Sequence, residues 1–186
     1  MLNHIGTITI KTPRLTLRKF RAEDSLSSFR NWSGSELTVN DIDFICHENI
    51  FQAEDFISDT ISGYNDYTYS FAISLNTSNQ VIGSIQLTNI DDYLEKCTVG
   101  FVVGYMFWGK GYATEALDMV LNFAFNTVGF QKVVGLCRTN NPSSEKVMKK
   151  CNMFFEGISR REIRIVDNFY DGKAYSILKD EYVRNF

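Results

Sequence analysis

Histidine and proline are scarce in this sequence, and each scarcity excludes something. The only histidines, His4 and His47, stand far apart, and Cys46, Cys97, Cys137 and Cys151 show neither a CxxC pair nor other metal-ligand spacing, so no metal site is expected. The four thiols read instead as buried free cysteines. Pro13 and Pro142 fall near element boundaries rather than in a linker. No stretch repeats and none is low in complexity, which leaves one domain over residues 1–186. Cationic excess is missing too. The 19 Lys and Arg against 22 Asp and Glu give a formal charge of −3, which argues against nucleic acid as a partner and favours a basic substrate. Neither a charged-then-apolar leader nor an apolar run long enough to span a bilayer is seen, so no membrane partner and a reducing, cytoplasmic location are the expectation.

Hydrophobic and aromatic residues, 44% and 14% of the chain, suffice for one substantial core. Residues 5–10 alternate in polarity, and "RLTLRKF" puts Leu15 and Leu17 opposite Thr16 and Arg18, the pattern of a half-buried strand. Asp24 opens a short helix through Phe29, and "QAEDFISDTISG" spaces Phe56, Ile57 and Ile61 helically before Gly63. Tyr67, Tyr69, Phe71 and Ile73 alternate with small polar residues. A polar turn at residues 76–80 leads to a second alternating run, which makes an antiparallel hairpin. A strand at residues 96–103 follows the acidic loop "NIDDYLEK". Ala113, Ala116, Leu117, Val120, Leu121, Ala124, Phe125 and Val128 then keep the i, i+3, i+4 rhythm of an amphipathic helix. "KVVGLCR" is a buried strand, "NPSSEKVMKKCNM" a helix with Val147, Met148 and Cys151 inward, and strands at residues 154–165 and 173–178 close the chain. The fold class is α/β of the α+β kind, a mixed and mostly antiparallel sheet flanked by helices.

Between a strand and the long helix stands "FWGKGYATEA". A strand, a glycine loop and a helix make an anion site, because unpaired N–H groups and the helix dipole point out of the helix start. Gly109 and Gly111 let the backbone close on a phosphate where a Cβ would hold it away. The loop is neither a Walker A motif, since Gly109-Lys110 is followed by Gly111 without the earlier glycine, nor a dinucleotide fingerprint, since it reads GxGxxT past mid-chain.

"YMFWGKGYATEAL", followed by "NNPSSEKVMKKCNMFFEG", resembles the GNAT superfamily of acyl-CoA N-acyltransferases, and within it the branch of ribosomal-protein N-terminal acetyltransferases. The resemblance covers nearly the whole chain, from "TPRLTLRKF" to "YSILKDEY". It implies the GNAT fold and acetyl-CoA as co-substrate, with the pyrophosphate held by backbone amides around Trp108, Gly109, Lys110, Gly111, Tyr112, Ala113 and Thr114 and with Lys110 adding charge. Trp108 stands where arginine or glutamine is usual. It also implies that a backbone N–H among Phe101, Val102 and Val103 polarises the thioester carbonyl. Asn141 matches the asparagine that contacts the pantetheine arm, and Ser144 the serine placed near the thioester sulfur; Ser144 equally suits an N-terminal helix cap. Asn152-Met153 replaces the family's Gly-Phe, and asparagine tolerates a left-handed helix end. Members often dimerise, so the resemblance also implies a homodimer, although no sequence feature marks an interface.

Acyl transfer to an amine needs a neutral amine, stabilisation of the developing oxyanion and a proton for the leaving thiolate. The glutamate that relatives often use as base corresponds to Thr98. Glu95 therefore becomes the candidate base, beside Asp91 and Asp92, which would attract a cationic amine; a solvated acidic loop explains these residues equally well. The tyrosine often used as acid corresponds to Met148, leaving Ser144 as the candidate acid. Trp32, Phe44, Phe51 and Tyr64 are candidates for the acceptor pocket, with core packing as their competing duty. The implied activity is acetyl transfer to a primary amine by direct attack, first a protein N-terminus and next a polyamine or aminoglycoside-type antibiotic. A non-catalytic acyl-CoA-binding module is the alternative from another class.

Overall fold

The alternating segments form strands of a single sheet. In the computed structural model, which describes residues 1–183 except Asp41, Asp43 and Val166, the strands are β1 (Ile10–Lys11), β2 (Leu15–Arg18), β3 (Tyr69–Leu75), β4 (Val81–Asp91), β5 (Lys96–Val103), β6 (Lys132–Arg138), β7 (Phe154–Ile165) and β8 (Asn168–Leu178). They lie in the order β1-β2-β3-β4-β5-β6-β8-β7. Every neighbouring pair is antiparallel except β5 with β6. Parallel neighbours need a crossover, and the periodic helix α4 (Tyr112–Phe123) supplies it. The remaining helices are α1 (Ser25–Ser28), α2 (Glu36–Val39), α3 (Ile50–Ser62) and α5 (Pro142–Lys150).

The main core joins Tyr69, Phe71, Ile73, Ile85, Leu87 and Val99 of the sheet to Leu117, Val120, Leu121 and Phe123 of α4, all buried. Each such side chain stabilises the fold by about 1.5–3 kcal/mol through its lost water contact. A smaller cluster, Phe20, Ile57, Ala72 and Val81, fills the α3 side. The alternation in β3 suggests one wet face, yet both faces are covered, and Ala72 and Ser74 are as buried as Phe71.

Several expected elements differ. Residues 5–9 form no strand. They are tied to the start of β3 by Thr7, whose hydroxyl donates to the Thr68 and Ser70 carbonyls, so side-chain bonds replace a ladder. The expected helix at residues 24–29 begins as a 3-10 turn (Ala22–Asp24), passes through α1 and widens into a π turn (Phe29–Ser33), which buries Trp32. α4 ends at Phe123, and its apolar rhythm continues through a π turn (Ala124–Val128) until Gly129 reverses the chain at φ 101°. In α3 the inward residues are Ala53 and Ile57, while Ile61 is exposed. Cys97, Cys137 and Cys151 are buried and free, whereas Cys46 is only half-buried. Asn152 is left-handed (φ 59°), as its place after α5 requires.

One buried ion pair fixes where the α1 region meets the sheet. Arg18 donates to both carboxylate oxygens of Asp24 at 2.7 and 2.8 Å, and Asp24 also accepts the Arg21 N–H at 2.8 Å. Both side chains are buried, so removing one leaves the other charge stranded. Asp24→Ala is expected to lower the unfolding free energy by about 3–5 kcal/mol, read from urea denaturation.

Candidate active site

β5 and β6 part halfway along. Their register runs from Lys96↔Lys132 to Val99↔Gly135 and stops, while β5 stays paired to β4 as far as Gly83↔Val103 and β6 to β8 as far as Arg138↔Gly172. β6 is held toward α5 at Gly135, where a Cβ would lie 2.6 Å from Met148 Sδ. The gap exposes one edge of β5, and the parity of the ladder says which backbone groups face it. Gly104 N–H donates to the Ile82 carbonyl (2.8 Å) on the β4 side, and Gln131 N–H reaches the Glu95 carbonyl (2.7 Å) on the β6 side. Even-numbered residues of β5 thus turn to β4 and odd-numbered ones to the gap, so the N–H groups of Phe101 and Val103 point into it. The Val103 carbonyl is taken by the Trp108 indole N–H at 2.6 Å.

The N-terminus of α4 opens beside this gap. Gly111 is the N-cap at φ 81° and Gly109 has φ 75°, conformations that residues with a Cβ adopt at a cost. Packing does not demand glycine here. A Cβ on Gly109 would meet nothing within 4 Å, and one on Gly111 only Arg14 Nη2 at 3.4 Å, so the space over the loop is open. The first N–H to find an acceptor inside the helix is that of Glu115, on the Gly111 carbonyl at 3.1 Å. The amides of Tyr112, Ala113 and Thr114 are therefore the helix's orphan donors and point at the opening.

A buried carboxylate holds this loop in place. Glu115, 1% exposed, accepts the Thr12 hydroxyl, the Arg14 N–H at 3.0 Å and the Arg14 Nε–H at 2.6 Å. Arg14 Nη1 then reaches the Lys110 carbonyl at 2.7 Å. One side chain thus links the β1–β2 turn, the first turn of α4 and the glycine loop.

On the far side, Asn141 caps α5. Its side-chain oxygen accepts the Ser144 N–H at 3.0 Å, so the cap is Asn141 and Ser144 keeps its hydroxyl for other use. Glu145 accepts from Lys149 (2.5 Å), Lys173 (2.6 Å) and the Tyr175 hydroxyl (2.9 Å), which pull its carboxyl from the ordinary 4.5 down to about 2.

A cavity of about 290 Å³ joins these parts, lined by Phe101, Val102, Val103, Trp108, Gly109, Gly111, Tyr112, Ala113, Thr114, Asn141 and Ser144. Lys146 and Lys150 of α5 line it too. A second cavity of about 310 Å³ adjoins it and shares Ile42, Phe101 and Val102. Its floor comes from cross-strand partners, Ser84 with Val102, Gln86 with Gly100 and Thr88 with Thr98. Its roof is aromatic, with Trp32 and Phe44 rings 5.1 Å apart and Phe44 and Phe56 5.4 Å apart. His47 packs behind them, 4.9 Å from Phe44, with burial lowering its pKa. Burial pushes the thiol of Cys137, which also lines this cavity, up to about 11.

The profile of the acetyltransferase (GNAT) domain matches residues 14–153. The chain belongs to the GNAT acetyltransferase family. It is 27% identical over 179 residues, 94% of this chain and 98% of the relative, to the protein named uncharacterized N-acetyltransferase p20 of Bacillus licheniformis. The fold is shared with a GCN5-related N-acetyltransferase from Brucella melitensis (TM-score 0.84, 20% identity, 97% and 82% of the two chains). It is shared also with a ribosomal-protein-S5-alanine acetyltransferase from Vibrio fischeri (TM-score 0.77, 14% identity, 95% and 99%).

In this acetyltransferase, eleven of the twelve residues expected around acetyl-CoA line one cavity. Lys110 does not: its ammonium lies 5.4 Å from the Phe107 ring centre, outside the lining, and the lysines that do line the cavity are Lys146 and Lys150. Glu95 also falls outside. It sits left-handed (φ 48°) at the start of β5, six residues and about 20 Å along the strand from Phe101. Its carboxylate pairs with the N-terminal amine at 3.1 Å, and it lines neither cavity. Asp92 is engaged by His4 Nε2 at 3.2 Å, likewise away from both cavities. Among the aromatic candidates, Trp32 and Phe44 line the second cavity, but Phe51 is exposed, and the Tyr64 hydroxyl is spent on the Phe20 N–H and the Ser70 carbonyl. Sequence reading missed Arg14, Glu115, Phe56, Lys146 and Lys150, although Glu115 in the first turn of a helix behind a phosphate-type loop was a usable signal.

Two outcomes test this reading. Arg14→Lys keeps the pair with Glu115 and loses the second donor to the loop; it is expected to raise the Kd for acetyl-CoA about 3–10-fold with Tm nearly unchanged, measured by calorimetry and thermal melting. Because the Glu145 carboxyl titrates lower in the folded state, its stabilising contribution is complete above pH 4.5 and is lost as pH falls toward 2. Urea midpoints across that window are expected to fall less steeply in Glu145→Gln than in the wild type.

Proposed function

We propose that this acetyltransferase binds acetyl-CoA in the first cavity and acetylates the α-amino group of a protein N-terminus presented from the second. The observation that carries this reading is the junction of the two cavities at Phe101 and Val102, where an outward-facing strand amide stands between an anion-binding helix start and a separate slot. The residues suit the co-substrate. Orphan amides of Tyr112, Ala113 and Thr114, with open space above Gly109, fit a pyrophosphate, and the unpaired edge of β5 fits an amide-bearing arm laid beside it as an extra strand.

Acetyl-CoA supplies an acyl group already activated as a thioester. The Phe101 N–H donates to its carbonyl oxygen and stabilises the charge that develops there. Val103 N–H and Asn141 align the arm, and the Ser144 hydroxyl gives a proton to the departing sulfur. In the second cavity Ser84, Gln86, Thr88 and Thr98 offer hydroxyls and an amide, groups that orient an amine and relay its proton to water without holding it. The amine best served is one with an appreciable neutral fraction near pH 7. An α-amino group, with a pKa of about 7.7–8.0, is neutral far more often than an aliphatic amine near 10.4. The fold shared with a protein named for ribosomal protein S5 points the same way. We propose the cytoplasm as the place of this activity, as the absence of any paired cysteine spacing led us to expect; separately, no helix among the described residues is long and apolar enough to cross a membrane.

Calorimetric titration with acetyl-CoA tests the first half. Micromolar binding is expected, at least tenfold weaker in Gly111→Trp and in Ala113→Asp. The second variant places a carboxylate where the helix dipole tolerates it but a phosphate does not. Folded variants that bind like the wild type would overturn the site. Turnover on N-terminal peptides, spermidine and an aminoglycoside tests the second half, with kcat/KM for the peptide rising with pH and levelling near about pH 8. A preference for either polycation would overturn the acceptor assignment.

A further inference from the structure

Two lysines of α5 line the first cavity. Lys146 and Lys150 lie four residues apart, so their side chains share one face, and that face lines the cavity at the α4 N-terminus. Like charges at this spacing repel by a few tenths of a kcal/mol. Lys149, between them in sequence, and Lys173 of β8 both pair with Glu145. Lys146 and Lys150 make no ion pair among the described residues. The helix dipole favours cations in the last turn, which accounts for Lys149 and Lys150 but not for Lys146 in the middle of α5. The only carboxylate on this helix, Glu145, is held by Lys149, Lys173 and Tyr175; it shares a shallow surface hollow with Lys146, Lys149 and Lys150 but is not part of the cavity lining to which Lys146 and Lys150 belong.

We propose that Lys146 and Lys150 form a second phosphate subsite, apart from the pyrophosphate site on α4, that takes a phosphomonoester on the nucleotide end of the co-substrate. The 3′-phosphate on the ribose of coenzyme A is such a group, carrying about 1.5–2 negative charges at neutral pH. The proposal rests on the reading that this cavity takes coenzyme A. Two flexible ammonium groups suit it, because a terminal phosphate presents three acceptor oxygens without the planar geometry that favours arginine. The pair thereby distinguishes nucleotides by a group remote from the reacting thioester.

The test compares coenzyme A with dephospho-coenzyme A, which carries a hydroxyl at that position, by calorimetry at low salt. The wild type is expected to bind coenzyme A about tenfold more tightly. In Lys146→Gln/Lys150→Gln the two ligands are expected to bind alike, with the dephospho-coenzyme A Kd within about twofold of wild type. A control, Lys96→Gln/Lys179→Gln, removes the same net charge at the closed end of β5 and β6, outside the cavity lining, and is expected to keep the tenfold ratio. A wild-type ratio of one, a ratio retained in the Lys146/Lys150 variant, or equal loss in the control overturns the subsite while leaving the cofactor reading intact. Failure of the wild type to bind either ligand overturns both.

Discussion

The pairing of β5 with β6 ends at Val99↔Gly135, and the rest of the site depends on that ending. A sheet that stayed closed would spend the Phe101 and Val103 amides on a neighbouring strand. Because β6 is drawn toward α5 at Gly135 while β5 remains fixed to β4, those amides face a cleft and still belong to a rigid element. An oriented N–H on such a strand is worth more to a developing charge than a mobile side chain, since nothing has to reorganise as the charge forms.

The second constraint is the buried carboxylate of Glu115. Apart from Thr114 and Asp118, the other buried residues of α4 are apolar, and a carboxylate 1% exposed is expensive unless its oxygens are satisfied. Thr12 and Arg14 satisfy them, and in doing so they lock the helix start against the β1–β2 turn. The glycine loop is therefore positioned from two directions, by the helix it opens and by the Arg14 guanidinium on the Lys110 carbonyl. A loop with two left-handed glycines would otherwise be the freest part of the site.

The architecture also separates two recognition tasks. The first cavity is built from backbone amides and α5 lysines, which suit phosphates; the second from neutral hydroxyls and an aromatic roof, which suit a compact acceptor. They share only Ile42, Phe101 and Val102, so most residues lining the second cavity are free to vary without touching the first.

The amino-acid sequence by itself determined the mixed sheet, the long periodic helix, the glycine turn and the Asn141–Ser144 helix start, because each is written in local periodicity or local backbone chemistry. It also limited the family to one that carries both motifs in order. Tertiary structure alone decided which charges serve the cleft. Glu95 lies near Thr98 in sequence, but a strand rises about 3.3 Å per residue, so six positions carry it to the opposite end of β5. Lys110 sits inside the motif yet lies against Phe107, while Lys146 and Lys150, some forty residues later in the sequence, line the cavity because helical spacing puts both on one face of α5. Distance along the chain is a poor guide wherever a crossover helix lies between two residues, and only packing brings those charges to a common space.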